Sequence, residues 1–132
     1  MKRSTYRLIA VFAFLFAAVI PAHATLTVTP LTWNVVGLDS NSPTSGPKFF
    51  PVGARVCSTV ATLNVAVDYF WDSANANVNL RTGSPATLTL ASIGAGNCGD
   101  AYFEAEVNQV AGAYDTTRRY HITATDGSGT FS

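Results

Sequence analysis

Alternation of apolar and polar residues constrains this chain more than any other feature of its sequence. From Asp100 to Val107 every second residue is apolar, and the residues between them are polar or tyrosine. The same two-residue period returns in Asn64–Trp71 and in Arg118–Ala124, and no segment after residue 24 sustains a helical period. Because successive side chains of a strand point to opposite faces, the pattern predicts half-buried strands in antiparallel sheets.

Shorter apolar segments between and before these three predict further strands, separated by turns rich in Gly, Pro, Asn and Ser. About seven strands with regularly spaced turns predict an all-β, immunoglobulin-like antiparallel sandwich, with a small barrel as the alternative. Residues 125–132 either add a final short strand or fray. The remaining predicted strands contain Leu26 and Val28, Val52–Ser58, Val78 and Leu80, and Leu88 and Leu90.

Residues 1–24 carry the pattern of an export signal. Lys2, Arg3 and Arg7 precede the uncharged run Leu8–Ile20, and small residues occupy both ends of Ala22-His23-Ala24. This pattern predicts a signal-peptide helix that is cleaved after residue 24, since the run is shorter than the roughly 20 apolar residues of a membrane span. An uncleaved anchor or a lipidated chain is the alternative.

Residues 25–132 are expected to form one domain, which is secreted or held at the cell surface, with the periplasm as the other candidate compartment. The polar tail carries no sorting motif or anchor helix, which fits either a free secreted protein or a fragment of a longer surface protein. No stretch after the signal is long and apolar enough to predict a membrane-spanning helix.

Cleavage also changes the charge balance. Three of the eight Lys and Arg residues lie in the signal, which leaves five against eight Asp and Glu residues and a net charge of −3. A mildly acidic domain without a basic cluster has little attraction for nucleic acid, which is therefore not expected as a partner.

Cys57 and Cys98 are the only cysteines. An even number of cysteines in an exported chain predicts a disulfide between them, with two buried thiols as the alternative. Their spacing matches no zinc pattern, and His121 is the only histidine that remains after cleavage. No metal or cofactor is expected.

Four short segments between residues 51 and 124 occur in a particular order. The first is a strand, the second is the start of the next strand, the third is a turn that contains glycine, and the fourth is an aromatic strand. They are Val52–Cys57, Asn64-Val65, Ile93–Gly96 and Tyr102–Val107. This order resembles the sandwich modules of bacterial surface proteins, namely the DUF11 repeats and the adhesion modules called CARDB. The Asn and Gly that those modules carry after the second strand are replaced here by Ser58–Val60. The resemblance implies an extracellular role in adhesion or spacing and supplies no catalytic residues.

Aromatic residues are the first candidates for a binding site, because their flat faces can stack on sugar rings. Trp33 and Tyr69–Trp71 qualify by residue type, although aromatics mainly supply buried area in small sandwiches. Strand alternation turns Tyr69 and Trp71 toward the core and Phe70 outward. The candidate ligand-binding residues for a glycan or a surface protein are Phe70, Trp71, Asp68 and Asp72.

Two other polar groups have simpler interpretations. Asp68, Asp72, Asn75 and Asn77 offer oxygens that calcium prefers, but their spacing matches no known loop and favours solvated turns. Two arginines, Arg118 and Arg119, point to opposite faces of their strand. They are expected to pair across strands with Glu104 and Glu106 or to hold an acidic partner, and His121 is expected to be an ordinary surface residue.

Catalysis needs a nucleophile with a base, converging carboxylates or a metal, and the sequence shows none of these patterns. We therefore expect no enzyme. The first hypothesis is an exported, non-catalytic immunoglobulin-like module for adhesion, surface display or spacing. A carbohydrate-binding module is the second, and a small secreted hydrolase is a distant third.

Overall fold

A computed structural model describes residues 25–31, 44–114 and 116–132. The predicted signal peptide, Trp33 and Asp115 lie outside the described residues. The described chain forms eight strands and a 3₁₀ turn at Ala111–Ala113. The strands are β1 (Leu26–Pro30), β2 (Phe49–Ser58), β3 (Thr62–Trp71), β4 (Val78–Leu80), β5 (Thr87–Ile93), β6 (Cys98–Val107), β7 (Tyr120–Asp126) and β8 (Gly129–Phe131).

The strands form two four-stranded antiparallel sheets that pack as a sandwich. The first sheet has the order β1-β2-β6-β4 and the second has the order β5-β3-β7-β8. The first order matches the four-stranded sheet of an immunoglobulin constant domain, and β3-β7-β8 matches its three-stranded sheet, with β5 added beside β3. The predicted immunoglobulin-like sandwich is confirmed, and the final strand of the tail is formed.

The core lies where β3 faces β6 across the sandwich. Val65, Val67 and Tyr69 project inward from β3, and Ala101 and Phe103 project inward from β6, all nearly inaccessible to solvent. A fully buried valine contributes roughly 1.5–3 kcal/mol relative to an exposed one, so these alternating positions provide much of the driving force for folding. The inward faces predicted for β3 and β6 are therefore confirmed, and on β7 Ile122 and Ala124 are likewise buried.

The outer face of the first sheet is covered by cross-strand pairs between β2 and β6. Arg55 lies opposite Asp100 and donates two hydrogen bonds to its carboxylate, at 2.8 Å and 2.9 Å. The hydrogen bond from Arg55 holds the pKa of the Asp100 carboxyl below its usual range. Two residues along, Gly53 lies opposite Tyr102, and a Cβ at Gly53 would sit 2.2 Å from the carbonyl oxygen of Ala101. Only glycine fits at this position of the strand.

Asp126 closes the hairpin between β7 and β8. Its Oδ1 accepts hydrogen bonds from the backbone N–H of Ser128 at 2.8 Å and from the Ser128 hydroxyl at 2.6 Å. Its Oδ2 accepts a hydrogen bond from the Thr62 hydroxyl at 3.0 Å, which ties the hairpin to β3. These hydrogen bonds, led by that of the Ser128 hydroxyl, lower the pKa of Asp126.

The predicted disulfide between Cys57 and Cys98 is confirmed. The two residues are direct partners in the register of β2 and β6, with Cys57 half-buried and Cys98 exposed on the outside of the sheet. The bond therefore links neighbouring strands of one sheet, whereas the disulfide of antibody domains crosses between sheets. With a sequence separation of 41, it encloses β3, β4 and β5 in one covalent loop.

We expect the double variant Cys57→Ser, Cys98→Ser to lose about 4 kcal/mol of unfolding free energy, because opening a loop of this length restores entropy to the unfolded chain. The core should stay intact, since both side chains lie outside it. Urea unfolding of the oxidised protein and of the variant measures the difference. Oxidised protein that is then reduced and alkylated should match the variant, and equal stability of oxidised protein and variant would contradict the prediction.

Candidate functional site

The outer face of β3 carries the candidate ligand-binding residues. Asp68 and Phe70 alternate along the strand with the buried Val67 and Tyr69, and Asp72 follows directly after the strand ends. Residues two apart on a strand share a face, so the three side chains form a line on the outside of the second sheet. Phe70 is 45% exposed, which makes it one of four large hydrophobic side chains open to solvent among the described residues.

His121 on β7 completes this surface. It is the register partner of Phe70, and the two rings stack with centroids 5.1 Å apart and planes 17° apart. Its Nδ1 lies 2.5 Å from Oδ1 of Asp72, so a proton on Nδ1 is donated to the carboxylate. One edge of the imidazole is thus held by Asp72 while its face supports Phe70, and the aromatic pair has a fixed orientation. We call Asp68, Phe70, Asp72 and His121 the aromatic patch.

Asp68 forms the other end of the aromatic patch. Its Oδ1 accepts a hydrogen bond of 2.5 Å from the hydroxyl of Thr87 on β5. At about 3.3 Å per residue, Asp68 and Asp72 are separated by roughly 13 Å along the strand, with Phe70 between them. That distance is too long for one cation to bind both carboxylates.

The asparagines that follow Asp72 serve the turn before β4. Oδ1 of Asn75 accepts hydrogen bonds from the backbone N–H groups of Asn77 and Val78, at 2.7 Å and 3.0 Å. Asn77 donates a hydrogen bond to the carbonyl oxygen of Gly112 at 2.9 Å. Within the described residues, no group of three His, Cys, Asp or Glu side chains could hold a metal ion.

Trp71 lies apart from the other three predicted ligand-binding residues. It points to the inner side of β3, half-buried, with its ring in edge contact with Tyr69 at 5.0 Å. The guanidinium of Arg118 lies over the indole, 4.1 Å from the centroid. The structure therefore brings Asp68, Phe70 and Asp72 together and places Trp71 in the packing of the sandwich.

Arg118 fastens the connection between β3 and β4. Its Nε donates a hydrogen bond to the carbonyl oxygen of Ser73 at 2.6 Å, and its guanidinium also bonds to the carbonyl of Val78 and to Oδ1 of Asn79. Arg118 precedes β7, so these contacts join the second sheet to the edge strand of the first. A cation stacked on an aromatic ring and hydrogen-bonded to three acceptors is a structural anchor.

The predicted pairing of Arg118 and Arg119 with Glu104 and Glu106 is wrong. The glutamates lie on β6 in the first sheet, whereas the arginines lead into β7 in the second, so they cannot be cross-strand neighbours. Glu104 instead pairs with Arg81 at 2.6 Å, and Glu106 pairs with Lys48 at 3.2 Å. The cationic groups of both Arg81 and Lys48 also lie over the ring of Phe49, the first residue of β2.

His121 is the residue of the aromatic patch that sequence reasoning missed. Alternation within Arg118–Ala124 places it on the outer face, and the structure confirms that position. Its two partners depend on the pairing of β7 with β3, which puts His121 opposite Phe70. A sequence gives the face of a strand, but the register between distant strands comes only from the fold.

Compared with protein-family models, with curated proteins and with solved structures, the chain matches none of them. The resemblance to DUF11 and CARDB modules therefore stays a prediction. Within the described residues, no helix has the length and apolar character that crossing a membrane requires.

A cluster of aromatic rings lies beneath the aromatic patch, on the inner side of β3. Tyr69 stacks on Tyr120 with centroids 5.0 Å apart and contacts Phe103 at 5.3 Å. Its hydroxyl is buried and has no hydrogen-bond partner among the described residues. Burial raises the pKa of Tyr69. A buried hydroxyl without a partner costs free energy because it has lost its hydrogen bonds to water.

The substitution Tyr69→Phe should therefore stabilise the protein by about 1 kcal/mol, since it removes the unpaired hydroxyl and keeps the stacked ring. Tyr102→Phe is the matched control, because Tyr102 is 56% exposed and its hydroxyl stays solvated. Chemical unfolding of both variants measures the effect. A loss of stability in Tyr69→Phe would show that the hydroxyl has a partner in solution.

Proposed function

We propose that this chain is an exported, non-catalytic immunoglobulin-like module that acts in adhesion, surface display or spacing. The observation that carries the proposal is an immunoglobulin-like sandwich with a disulfide on its surface. Sandwiches of this architecture recur in cell-surface domains, and disulfides persist in oxidising compartments. The export signal read from residues 1–24 adds independent support.

The chemistry of the described polar side chains supports a non-catalytic role. His121 lies on an open sheet face, where it contacts Asp72 and Phe70. On the first sheet, the basic side chain is in an ion pair with an acidic side chain. A hydrolytic site needs a nucleophile, a base and a stabilising group that converge on one point. The aromatic patch instead presents a ring between carboxylates on a surface, an arrangement suited to contact with a partner.

The compartment and the disulfide can be tested together. Expressed with its own leader in a bacterial host, the protein should be recovered outside the cytoplasm, with Thr25 as its first residue by intact mass. Alkylation before reduction should add no label, because both cysteines are oxidised, and alkylation after reduction should add two. Recovery in the cytoplasm with residues 1–24 attached, or labelling without reduction, would contradict export as proposed.

Carbohydrate binding is the second candidate function, and the exposed ring of Phe70 favours it. An aromatic face can pack against the apolar face of a pyranose, and the flanking carboxylates and imidazole can exchange hydrogen bonds with sugar hydroxyls. Asp68, Asp72 and His121 lie on both sides of the ring along β3 and β7. Thr87 orients Asp68, which leaves part of that carboxylate available to a ligand.

A glycan array followed by titration with the best glycan tests this candidate on the exported protein. Phe70→Ala should weaken binding about tenfold, because it removes the stacking surface. Tyr102→Ala is the matched control, since Tyr102 is an exposed aromatic on the opposite sheet and should leave binding unchanged.

The result also separates the two candidates. Binding to a glycan that Phe70→Ala weakens, with Tyr102→Ala unaffected, would rule out a pure spacer. Binding to no glycan would rule out the carbohydrate-binding candidate and leave a protein contact or a spacing role.

A further inference from the structure

Among the described strands, β5 forms an edge of the second sheet and is paired with β3 alone. Its sequence from Thr87 to Ile93 contains no charged residue and no proline. Proteins normally protect long edge strands with charges, prolines, bulges or short length, because an open edge pairs with other chains. Among the described strands, the other edges are protected in these ways: β4 and β8 have three residues each, and β1 ends in Pro30.

The pairing of β5 with β3 determines which backbone groups of β5 face the open edge. The N–H of Tyr69 donates to the carbonyl oxygen of Ala86 at 2.8 Å, so this pair is a hydrogen-bonded one. Hydrogen-bonded and non-hydrogen-bonded pairs alternate along an antiparallel ladder. The N–H and C=O groups of Thr87, Thr89, Ala91 and Ile93 therefore point away from β3, into the open edge.

A second copy of the same strand fits this edge in a symmetric register centred on Thr89. Antiparallel pairing about Thr89 places Thr89 opposite its own copy and Thr87 opposite Ala91, so three of the four residues with edge-facing backbone groups meet one another. The two threonines at the axis lie on the exposed outer face, where threonine pairs are favourable. No like charges meet, because the strand has no charge.

The same register also matches the inner face. Leu88 and Leu90 project toward the core but stay half-buried, since no described strand pairs with β5 on its open side. Pairing about Thr89 sets Leu88 of one copy opposite Leu90 of the other. The leucines then cover one another, so the pairing buries apolar surface in addition to forming backbone hydrogen bonds.

We propose that β5 is a self-association edge, through which two copies of this chain join into one continuous eight-stranded sheet. The interface is small, so we expect a weak, concentration-dependent dimer with a Kd of roughly micromolar or above. The register is centred on Thr89, and the contact leaves the aromatic patch uncovered.

Sedimentation velocity of the exported protein over a wide concentration range should show a monomer–dimer equilibrium. Thr89→Lys should remove the dimer, because it places two like charges opposite each other at the axis. Thr130→Lys is the matched control, since it makes the same change on the exposed face of the opposite edge strand β8 and should dimerise as the parent does. Circular dichroism and thermal melting establish that both variants are folded.

The register is tested by cross-linking. Thr89→Cys should form a covalent dimer on mild oxidation, because residues directly opposite each other in a ladder lie within disulfide range, and Thr130→Cys should not. A parent that stays monomeric at every concentration would overturn the proposal. A dimer that survives in Thr89→Lys, or that cross-links equally through both cysteine variants, would overturn it as well.

Discussion

The packing of β3 against β6 is the contact on which the rest of this structure depends. Each strand is central in its own sheet, and their inward residues meet in the middle of the core. Because side chains alternate, burial of Val65, Val67 and Tyr69 fixes which residues of β3 face outward. A shift of one residue would bury Phe70 and Asp68 and expose the valines. The aromatic patch is thus positioned by the core beneath it.

The same contact explains how far the sequence could predict the structure. Periods of two residues in Asn64–Trp71 and Asp100–Val107 identified the inward faces, and the outward position of Phe70 followed from them. The pairing of Cys57 with Cys98 needed only their number and an oxidising compartment. The inward faces are features of a short stretch of sequence, and the disulfide pairing is decided because the chain has only two cysteines.

What the sequence could not provide is the relation between distant strands. Glu104 and Glu106 were expected beside Arg118 because all of them alternate on strands, but β6 and β7 lie in different sheets. Similarly, nothing local to His121 indicates that it meets both Phe70 and Asp72. Strand order and register arise from how all the strands pack together, and no short window of sequence contains that information.

The two sheets differ in how their outer surfaces are made, and that difference bears on function. The first is covered by ion pairs and by the disulfide, a surface whose side chains already satisfy one another. The second carries threonines, the aromatic patch and an open edge at β5.

Pairing of two copies about Thr89 would place the two-fold axis perpendicular to the sheet, so that both aromatic patches face the same way. Two weak sites on one side of a rigid sheet bind a repetitive surface more tightly than either site alone, because the second contact forms at high effective concentration. An edge that brings copies together and a face that meets a partner would then serve one purpose, which is attachment through many weak contacts.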